Sequence, residues 1–117
     1  KALFQLLATE GDEWIEYLTA EGAEKFKKTL ETSLTFVAYE GDHLCGFSRS
    51  FVDGEFFVCV CDLLVEKQFR GKSIGRRLME CIYDFYPDHQ VIVLSDVDIY
   101  YEKLGYEKIG SVFTVKK

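Results

Sequence analysis

The hydrophobic and polar positions of the 117-residue chain predict four strands. Residues 34–39 alternate between apolar and polar, and residues 44–51 follow a Glu-Gly-Asp turn as the second arm of a hairpin. Residues 56–65 are apolar except for Asp62, which is typical of a strand that is covered on both faces. Residues 91–94 form a further short buried strand.

Apolar residues at helical spacing predict helices between and before these strands. Residues 12–30 favour two short helices, with Asp12 as the N-cap and Gly22 as the break. Residues 73–86 place one apolar stripe on the sheet before a proline ends the helix. The stripe consists of Ile74, Leu78, Cys81, Ile82 and Phe85. Residues 2–7 are a short apolar stretch that we interpret as an edge strand.

The last quarter of the chain predicts a helix and a hairpin. Residues 96–104 fit a helix capped by Ser95 or Asp96, and Gly105 suits its C-terminal cap. Residues 106–115 are interpreted as a final hairpin. The resulting order, β-α-α-β-β-β-α-β-α-β with a further strand in the hairpin, predicts one mixed α/β domain over residues 1–117, with helices on the faces of a central sheet.

Composition and charge limit the class of protein. Hydrophobic residues make up 48% of the chain and there is one proline, so we expect a compact globular fold. A net charge of −6 argues against general nucleic-acid binding, which needs a broad basic surface. No apolar run approaches the roughly 20 residues that cross a bilayer, and the N-terminus lacks a signal-peptide pattern. We therefore expect a cytoplasmic protein without a membrane partner, and a homodimer is compatible with the sequence.

Cysteine and histidine give no sign of a metal site. The four cysteines, Cys45, Cys59, Cys61 and Cys81, show neither a CxxC pair nor zinc-ligand spacing. Buried free thiols are the favoured interpretation, with Cys59 and Cys61 on one face of their strand. The two histidines fall in polar, turn-like segments, where surface positions are favoured over ligand roles.

A locally basic loop interrupts this acidic chain. Five basic residues and no acidic one occur between Lys67 and Arg77, in a stretch that runs from a buried strand through two glycines into a helix. Backbone N–H groups at such a junction, flanked by Arg and Lys, favour a small anionic ligand such as a phosphate. The alternative is a solvated basic turn.

Asp62 is the one carboxylate in the apolar run of residues 56–65. In a regular strand it shares a face with Val58, Val60 and Leu64, because successive side chains point to opposite faces. One interpretation is structural, with Asp62 hydrogen-bonded to a loop or paired with a nearby arginine. The other is functional, with the carboxylate held in a cleft.

Two segments resemble the GNAT superfamily of N-acetyltransferases. The first, Arg70-Gly71-Lys72-Ser73-Ile74-Gly75, is similar to the pyrophosphate-binding signature Gln/Arg-x-x-Gly-x-Gly/Ala at the start of that family's central helix. The second, Tyr100-Tyr101-Glu102-Lys103-Leu104-Gly105-Tyr106, is similar to the family's aromatic-Tyr-x-Lys-Leu-Gly-aromatic segment. The two occur in matching order among the predicted elements, and the resemblance extends from about residue 34 to the end of the chain.

The resemblance implies a mixed, mostly antiparallel central sheet with helices on both faces and two parallel central strands that splay apart. Acetyl-CoA as co-substrate would lie between these strands, with its pantetheine arm paired to the backbone of Leu63, Leu64 and Val65. The pyrophosphate would be held by the basic loop. The implied loop residues are Arg70, Gly71, Lys72, Ser73, Ile74, Gly75 and Arg76.

The resemblance also implies two catalytic residues. Tyr101 matches the tyrosine that can protonate the departing CoA thiolate, a transfer that is mildly uphill from a phenol of pKa ~10 to a thiol of pKa ~8.5. Asp62 lies where many relatives place an acid that helps to remove a proton from the amine. Two positions depart from the family pattern: Ser73 replaces a glycine, and Leu94 replaces an asparagine whose contact with CoA therefore does not transfer.

We therefore predict an acetyl-CoA-dependent N-acetyltransferase that acts on a primary amine, either a small molecule or a peptide, by direct transfer. No metal is expected. An alternative of a different class is a non-catalytic acyl-CoA-binding or regulatory module. A nucleotide-phosphate binder is less favoured, because the chain has neither a GxxxxGK[ST] loop nor a GxGxxG fingerprint.

Overall fold

The computed structural model describes residues 2–10 and 14–117. The 3₁₀ turns Lys67–Phe69 and Cys81–Asp84 accompany the regular elements. In chain order the regular elements are α1 (Ala2–Ala8), α2 (Ile15–Leu18), α3 (Ala20–Thr32), β1 (Leu34–Glu40), β2 (His43–Asp53), β3 (Phe57–Val65), α4 (Ile74–Glu80), β4 (Gln90–Val93) and α5 (Asp98–Lys103). The four strands predicted between residues 34 and 94 are confirmed.

The strands form one mixed sheet in the order β1-β2-β3-β4. The first three are antiparallel neighbours, and β3 and β4 are parallel, joined by a crossover that contains α4. This arrangement confirms the predicted α/β class with a mostly antiparallel sheet. Within the described residues, no helix has the length and apolar character needed to cross a membrane.

Two clusters of buried residues lie on opposite faces of the sheet. On one face, Leu6, Leu7 and Phe26 of the N-terminal helices pack on Phe47 and Leu64. On the other face, helix α4 and the turn after it pack on β3. That second cluster consists of Val58, Val60, Met79 and Ile82.

Small side chains let α4 lie close to β2. Ser48 and Ser50 are fully buried, and the hydroxyl of Ser48 donates a 3.0 Å hydrogen bond to the carbonyl of Leu78 in α4. A larger residue at position 48 would push the helix away from the sheet. Ser48 therefore fixes the height of α4, and with it the loop that precedes the helix.

A β-bulge at Cys61 overturns the predicted face of Asp62. Arg49 pairs with Asp62 but Ser50 pairs with Val60, so Cys61 is an extra residue on β3. The insertion reverses the alternation. Beyond the bulge, Leu63 joins the α4 cluster with Val60, whereas Asp62 faces the N-terminal helices.

The N-terminal predictions need two corrections. Residues 2–7 are helical and not an edge strand, because Leu3, Leu6 and Leu7 recur at helical spacing and pack on the core. The break between α2 and α3 falls at Thr19, not Gly22, and the Thr19 hydroxyl caps α3 by accepting from the Gly22 N–H. The proposed cap Asp12 lies outside the described residues.

Predictions after residue 73 also need correction. The regular part of α4 is shorter than predicted, and Phe85 is 65% exposed beside Phe36, so it lies outside the buried stripe. Neither Ser95 nor Asp96 caps α5; the Ser95 hydroxyl donates to the Asp98 carboxylate. The predicted hairpin over residues 106–115 is wrong, because that segment contains no strand and its apolar side chains beyond Tyr106 are exposed.

Gly22 is required by close contact, which leads to a testable prediction. A Cβ atom at this position would overlap the carbonyl oxygen of Glu16, which lies in the short helix α2 just before α3. We expect Gly22→Ala to lower the free energy of unfolding by about 2 kcal/mol, measured by urea denaturation.

Gly110→Ala is the matched control, since a Cβ atom there meets nothing and the backbone is not in the positive-φ region. It should change stability by no more than about 0.5 kcal/mol. Equal stabilities of the two variants would contradict the close contact.

Candidate active site

A cleft opens where β3 and β4 separate. The parallel pairing ends at Val60 and Val93, and Leu94 makes the last backbone hydrogen bond to β3, 3.0 Å from its N–H to the Val60 carbonyl. Beyond that point β3 continues through the Cys61 bulge while β4 ends. The resulting cleft of about 320 Å³ is lined by residues from both strands, from the N-terminal helices and from α5.

Asp62 forms one wall of this cleft and is already engaged. Its Oδ2 accepts a 2.6 Å hydrogen bond from Nε of Arg49, and its Oδ1 accepts a 3.3 Å hydrogen bond from the hydroxyl of Tyr17. The side chain of Asp62 is only 8% exposed. Burial of a carboxylate at this level is stabilised by pairing with a cation, here Arg49 directly opposite on β2. Asp62 is therefore paired with an arginine, as the structural interpretation expects, and it also lies at the cleft where the functional interpretation would place it.

Tyr101 lines the same cleft from α5. Its hydroxyl makes no hydrogen bond to any of the residues that the structure describes. Burial is the main cause that raises the pKa of Tyr101 to about 12, with further contributions from Tyr100 and Asp96. The phenol therefore keeps its proton across the physiological range, and passing that proton to a thiolate is more uphill than it would be from an unperturbed phenol.

The end of α5 is closed by a Schellman motif that holds Tyr101 in place. Gly105 has a φ of 87°, its N–H bonds to the carbonyl of Glu102, and the N–H of Tyr106 bonds to the carbonyl of Tyr101. This confirms the predicted role of Gly105. The rings of Tyr101 and Tyr106 lie nearly parallel with centroids 6.4 Å apart.

The two segments that resemble the family signatures touch each other. A Cβ atom at Gly75 would overlap the hydroxyl of Tyr100, so a larger residue at this position would require the Tyr100 side chain to move. Tyr100 directly precedes Tyr101, and its ring packs edge-on against it. The side chain of Tyr100 therefore connects the two segments, since it contacts both Gly75 and Tyr101.

The basic loop has the backbone geometry of a glycine-rich anion site. Gly71 has a φ of 84° and Ser73 a φ of 65°. Ser73 thus occupies the left-handed conformation that glycine adopts at lower cost, by about 1 kcal/mol or more. The N–H groups of residues 71–76 have no acceptor among the described residues, so they are available to a ligand.

The loop cations differ in availability. The guanidinium of Arg70 donates to the carbonyl of Val65 at 2.8 Å and to Glu10 at 2.7 Å, and Arg76 pairs with Glu80 at 2.8 Å. Lys72 and Arg77 make no ion pair within residues 2–10 and 14–117.

The three strand residues predicted to pair with pantetheine have different environments. Leu63 lines the cleft, Leu64 is buried in the N-terminal core, and the Val65 carbonyl is held by Arg70. Their pairing to β2 leaves the opposite edge of this part of β3 without a strand partner in the described chain. That open edge faces the cleft.

The residues that the N-terminal segment contributes to the cleft were not singled out from the sequence. Trp14, Glu16 and Tyr17 line the cleft, and Arg49 stands behind Asp62. No motif marks these residues. The only usable signal was the isolated position of Asp62, which required a partner.

Comparisons with known proteins identify the family. A family model described as an acetyltransferase (GNAT) domain matches residues 31–108, and the chain therefore belongs to the GNAT acetyltransferase family. Comparison with curated protein sequences gave no match.

Solved structures show the same fold. A GNAT family acetyltransferase from Streptococcus pneumoniae TIGR4 is 23% identical with a TM-score of 0.74, covering 99% of this chain and 90% of its own. An aminoglycoside N-acetyltransferase in complex with CoA is 12% identical with a TM-score of 0.73, covering 99% and 86%. Glucosamine-6-phosphate N-acetyltransferase from Arabidopsis thaliana is 20% identical with a TM-score of 0.67, covering 100% and 89%.

The conformation of Ser73 predicts that glycine is the better residue there. Removal of the Cβ relieves the left-handed conformation, and the greater flexibility of glycine in the unfolded state offsets part of the gain. We expect Ser73→Gly to raise the free energy of unfolding by about 0.5 kcal/mol, measured by urea denaturation.

Ser73→Ala keeps the Cβ and removes only the hydroxyl, so it should not show this gain. A lower stability of Ser73→Gly than of Ser73→Ala would contradict the strain that we assign to this residue.

Proposed function

We propose that this GNAT domain is an N-acetyltransferase that moves an acetyl group from acetyl-CoA to a primary amine by direct transfer. The observation that carries the proposal is the position of Tyr101. Its side chain lines the cleft between the separated ends of β3 and β4, its hydroxyl has no hydrogen-bond partner among the described residues, and Asp62 lines the same cleft. A proton donor and a carboxylate in one cleft are what acyl transfer from a thioester to an amine requires.

The chain has suitable groups for acetyl-CoA. Unpaired N–H groups of the loop, with Lys72 and Arg77 nearby, fit a pyrophosphate. The open edge of β3 beyond Val60 can accept the amides of a pantetheine arm. Acetyl-CoA supplies the activated acetyl group, and residues of the chain bind the two substrates and transfer the protons.

The reaction balances with the residues in the cleft. The amine nitrogen forms a bond to the thioester carbonyl carbon, and the bond from that carbon to sulfur breaks. Tyr101 gives its proton to the departing sulfur and is reprotonated from solvent. The proton that the amine loses passes to solvent, with Asp62 placed to accept it through the remaining lone pairs of its oxygens. The products are an N-acetyl amide and CoA.

We expect Tyr101→Phe to lower kcat about 100-fold, the lower range for loss of a positioned general acid. Thiol release from acetyl-CoA over a panel of amines measures the effect, and calorimetric titration should show unchanged affinity for acetyl-CoA. Tyr39→Phe is the matched control, because Tyr39 is 59% exposed on β1 and does not line the cleft. Turnover in Tyr101→Phe equal to that of the control would remove Tyr101 from this role.

The raised pKa of Tyr101 predicts a pH dependence. Because the phenol keeps its proton until pH approaches about 12, kcat should not decline through loss of this proton below about pH 11. A stopped-flow pH profile of kcat in the wild type measures this. A decline between pH 8 and 10 that disappears in Tyr101→Phe would contradict the assignment.

The same experiments separate an enzyme from a binding module. Tight calorimetric binding of acetyl-CoA with no thiol release for any amine would favour the non-catalytic alternative. Failure of the folded protein to bind acetyl-CoA would contradict both. The amines named for the structural neighbours, an aminoglycoside and glucosamine 6-phosphate, belong in the panel with simple alkylamines and a basic peptide.

A further inference from the structure

Tyr17, Asp62 and Arg49 form a continuous wall at the cleft. The Tyr17 hydroxyl donates to Oδ1 of Asp62 at 3.3 Å, and Arg49 donates to Oδ2 at 2.6 Å. Tyr17 lines the cleft on one side and a second depression, between α2, α3 and β2, on the other, whereas Arg49 lines only the second. Asp62 and Tyr17 therefore both line the cleft, where Oδ1 of Asp62 accepts from the Tyr17 hydroxyl. Arg49, the counter-ion of Asp62, lies outside the lining of the cleft.

Packing holds the Tyr17 ring in a fixed orientation. It stacks on Phe26 with centroids 4.4 Å apart and planes 9° from parallel, and Trp14 packs against it at 5.8 Å. Phe26 is 2% exposed and also lies 5.7 Å from the guanidinium carbon of Arg49. The same buried ring thus supports both hydrogen-bond partners of Asp62.

The charged residues that line the cleft are all acidic among the described residues. Its lining includes three carboxylates, from Glu16, Asp62 and Asp96, and no lysine or arginine among the described residues. Asp62 is neutralised from behind by Arg49. Glu16 and Asp96 make no ion pair with a described residue, so the cleft keeps a negative field that favours cations and disfavours anions.

We propose that Tyr17 is an acceptor-binding residue, whose hydroxyl oxygen and Asp62 Oδ1 together receive two N–H groups of a protonated amine, and that Arg49 is the positioning residue behind them. The acceptor class that follows is a cationic amine with no anionic group within a few bonds of the nitrogen. This inference rests on the proposed transfer to an amine and narrows it.

The chemistry of the two oxygens supports this arrangement. The Tyr17 phenol uses its proton toward Asp62, which leaves its oxygen lone pairs free to accept. Burial and the Asp62 charge raise the pKa of Tyr17, so the phenol remains neutral. Two acceptors about one hydrogen-bond length apart match two donors of one ammonium group, whose remaining donor can point to solvent.

A matched series of acceptors tests the substrate class with the wild-type protein. Pentylamine, 1,4-diaminobutane and 4-aminobutanoate carry the same reacting amine and differ mainly in the far group, which is neutral, cationic or anionic. We expect kcat/KM to be severalfold higher for the diamine than for pentylamine, and severalfold lower for 4-aminobutanoate. An anionic acceptor as good as the diamine would overturn the proposed class.

Tyr17→Phe tests the residue itself. It should raise KM for the amine about tenfold, because the substrate ammonium group loses the Tyr17 hydroxyl oxygen as a hydrogen-bond acceptor. KM for acetyl-CoA should change less than twofold. Arg49→Gln should also raise the amine KM, and Arg49→Lys should restore part of the loss. Tyr39→Phe is the control for removal of a phenol away from the cleft. Equal changes in both KM values, or none, would overturn the assignment.

A binding measurement keeps this inference separate from catalysis. In protein labelled with ¹³C at the tyrosine ring, the Tyr17 ζ-carbon resonance, assigned by its loss in Tyr17→Phe, should shift on titration with 1,4-diaminobutane but not with 4-aminobutanoate. A shift without turnover would support the amine site while contradicting the proposed transferase. Turnover without a shift would support the transferase and overturn the role of Tyr17.

Discussion

The bulge at Cys61 is the constraint on which the site depends. One extra residue in β3 reverses the alternation of side chains, so Val60 remains under α4 while Asp62 turns to the N-terminal helices. The same position marks the end of pairing with β4. A single insertion therefore opens the cleft and delivers a carboxylate to its wall. Without it, Asp62 would point into the apolar cluster beneath α4, where it would have no cationic partner.

Much of the fold follows from local patterns, and much of the site does not. The four strands, the loop between residues 70 and 75 and the cap at Gly105 were predictable, because each depends on neighbours in the chain. The bulge was not, since Cys61 differs from a regular strand residue only through its pairing with β2. The helix over residues 2–8 was missed for a related reason: a short apolar run fits strand and helix equally until its partners are known.

The partners of Asp62 illustrate the same limit at the level of chemistry. An isolated carboxylate in an apolar strand required a cation, but three cations of the basic loop, Lys67, Arg70 and Lys72, lie nearer to Asp62 in the sequence than its partner Arg49 does. Arg49 was selected by strand register, and Tyr17 by the corner between α2 and α3. Both are long-range consequences of packing. Family resemblance pointed to Tyr101, which lies at the cleft, but carried no information about Tyr17 or Arg49.

The contact between Gly75 and Tyr100 has a mechanical consequence. Because the Tyr100 hydroxyl fills the space that a side chain at residue 75 would occupy, the start of α4 cannot move toward α5 without displacing Tyr100. Tyr100 in turn packs against Tyr101. A residue larger than glycine at position 75 would therefore displace Tyr100, and through the contact between the two rings it would disturb Tyr101 in the wall of the cleft.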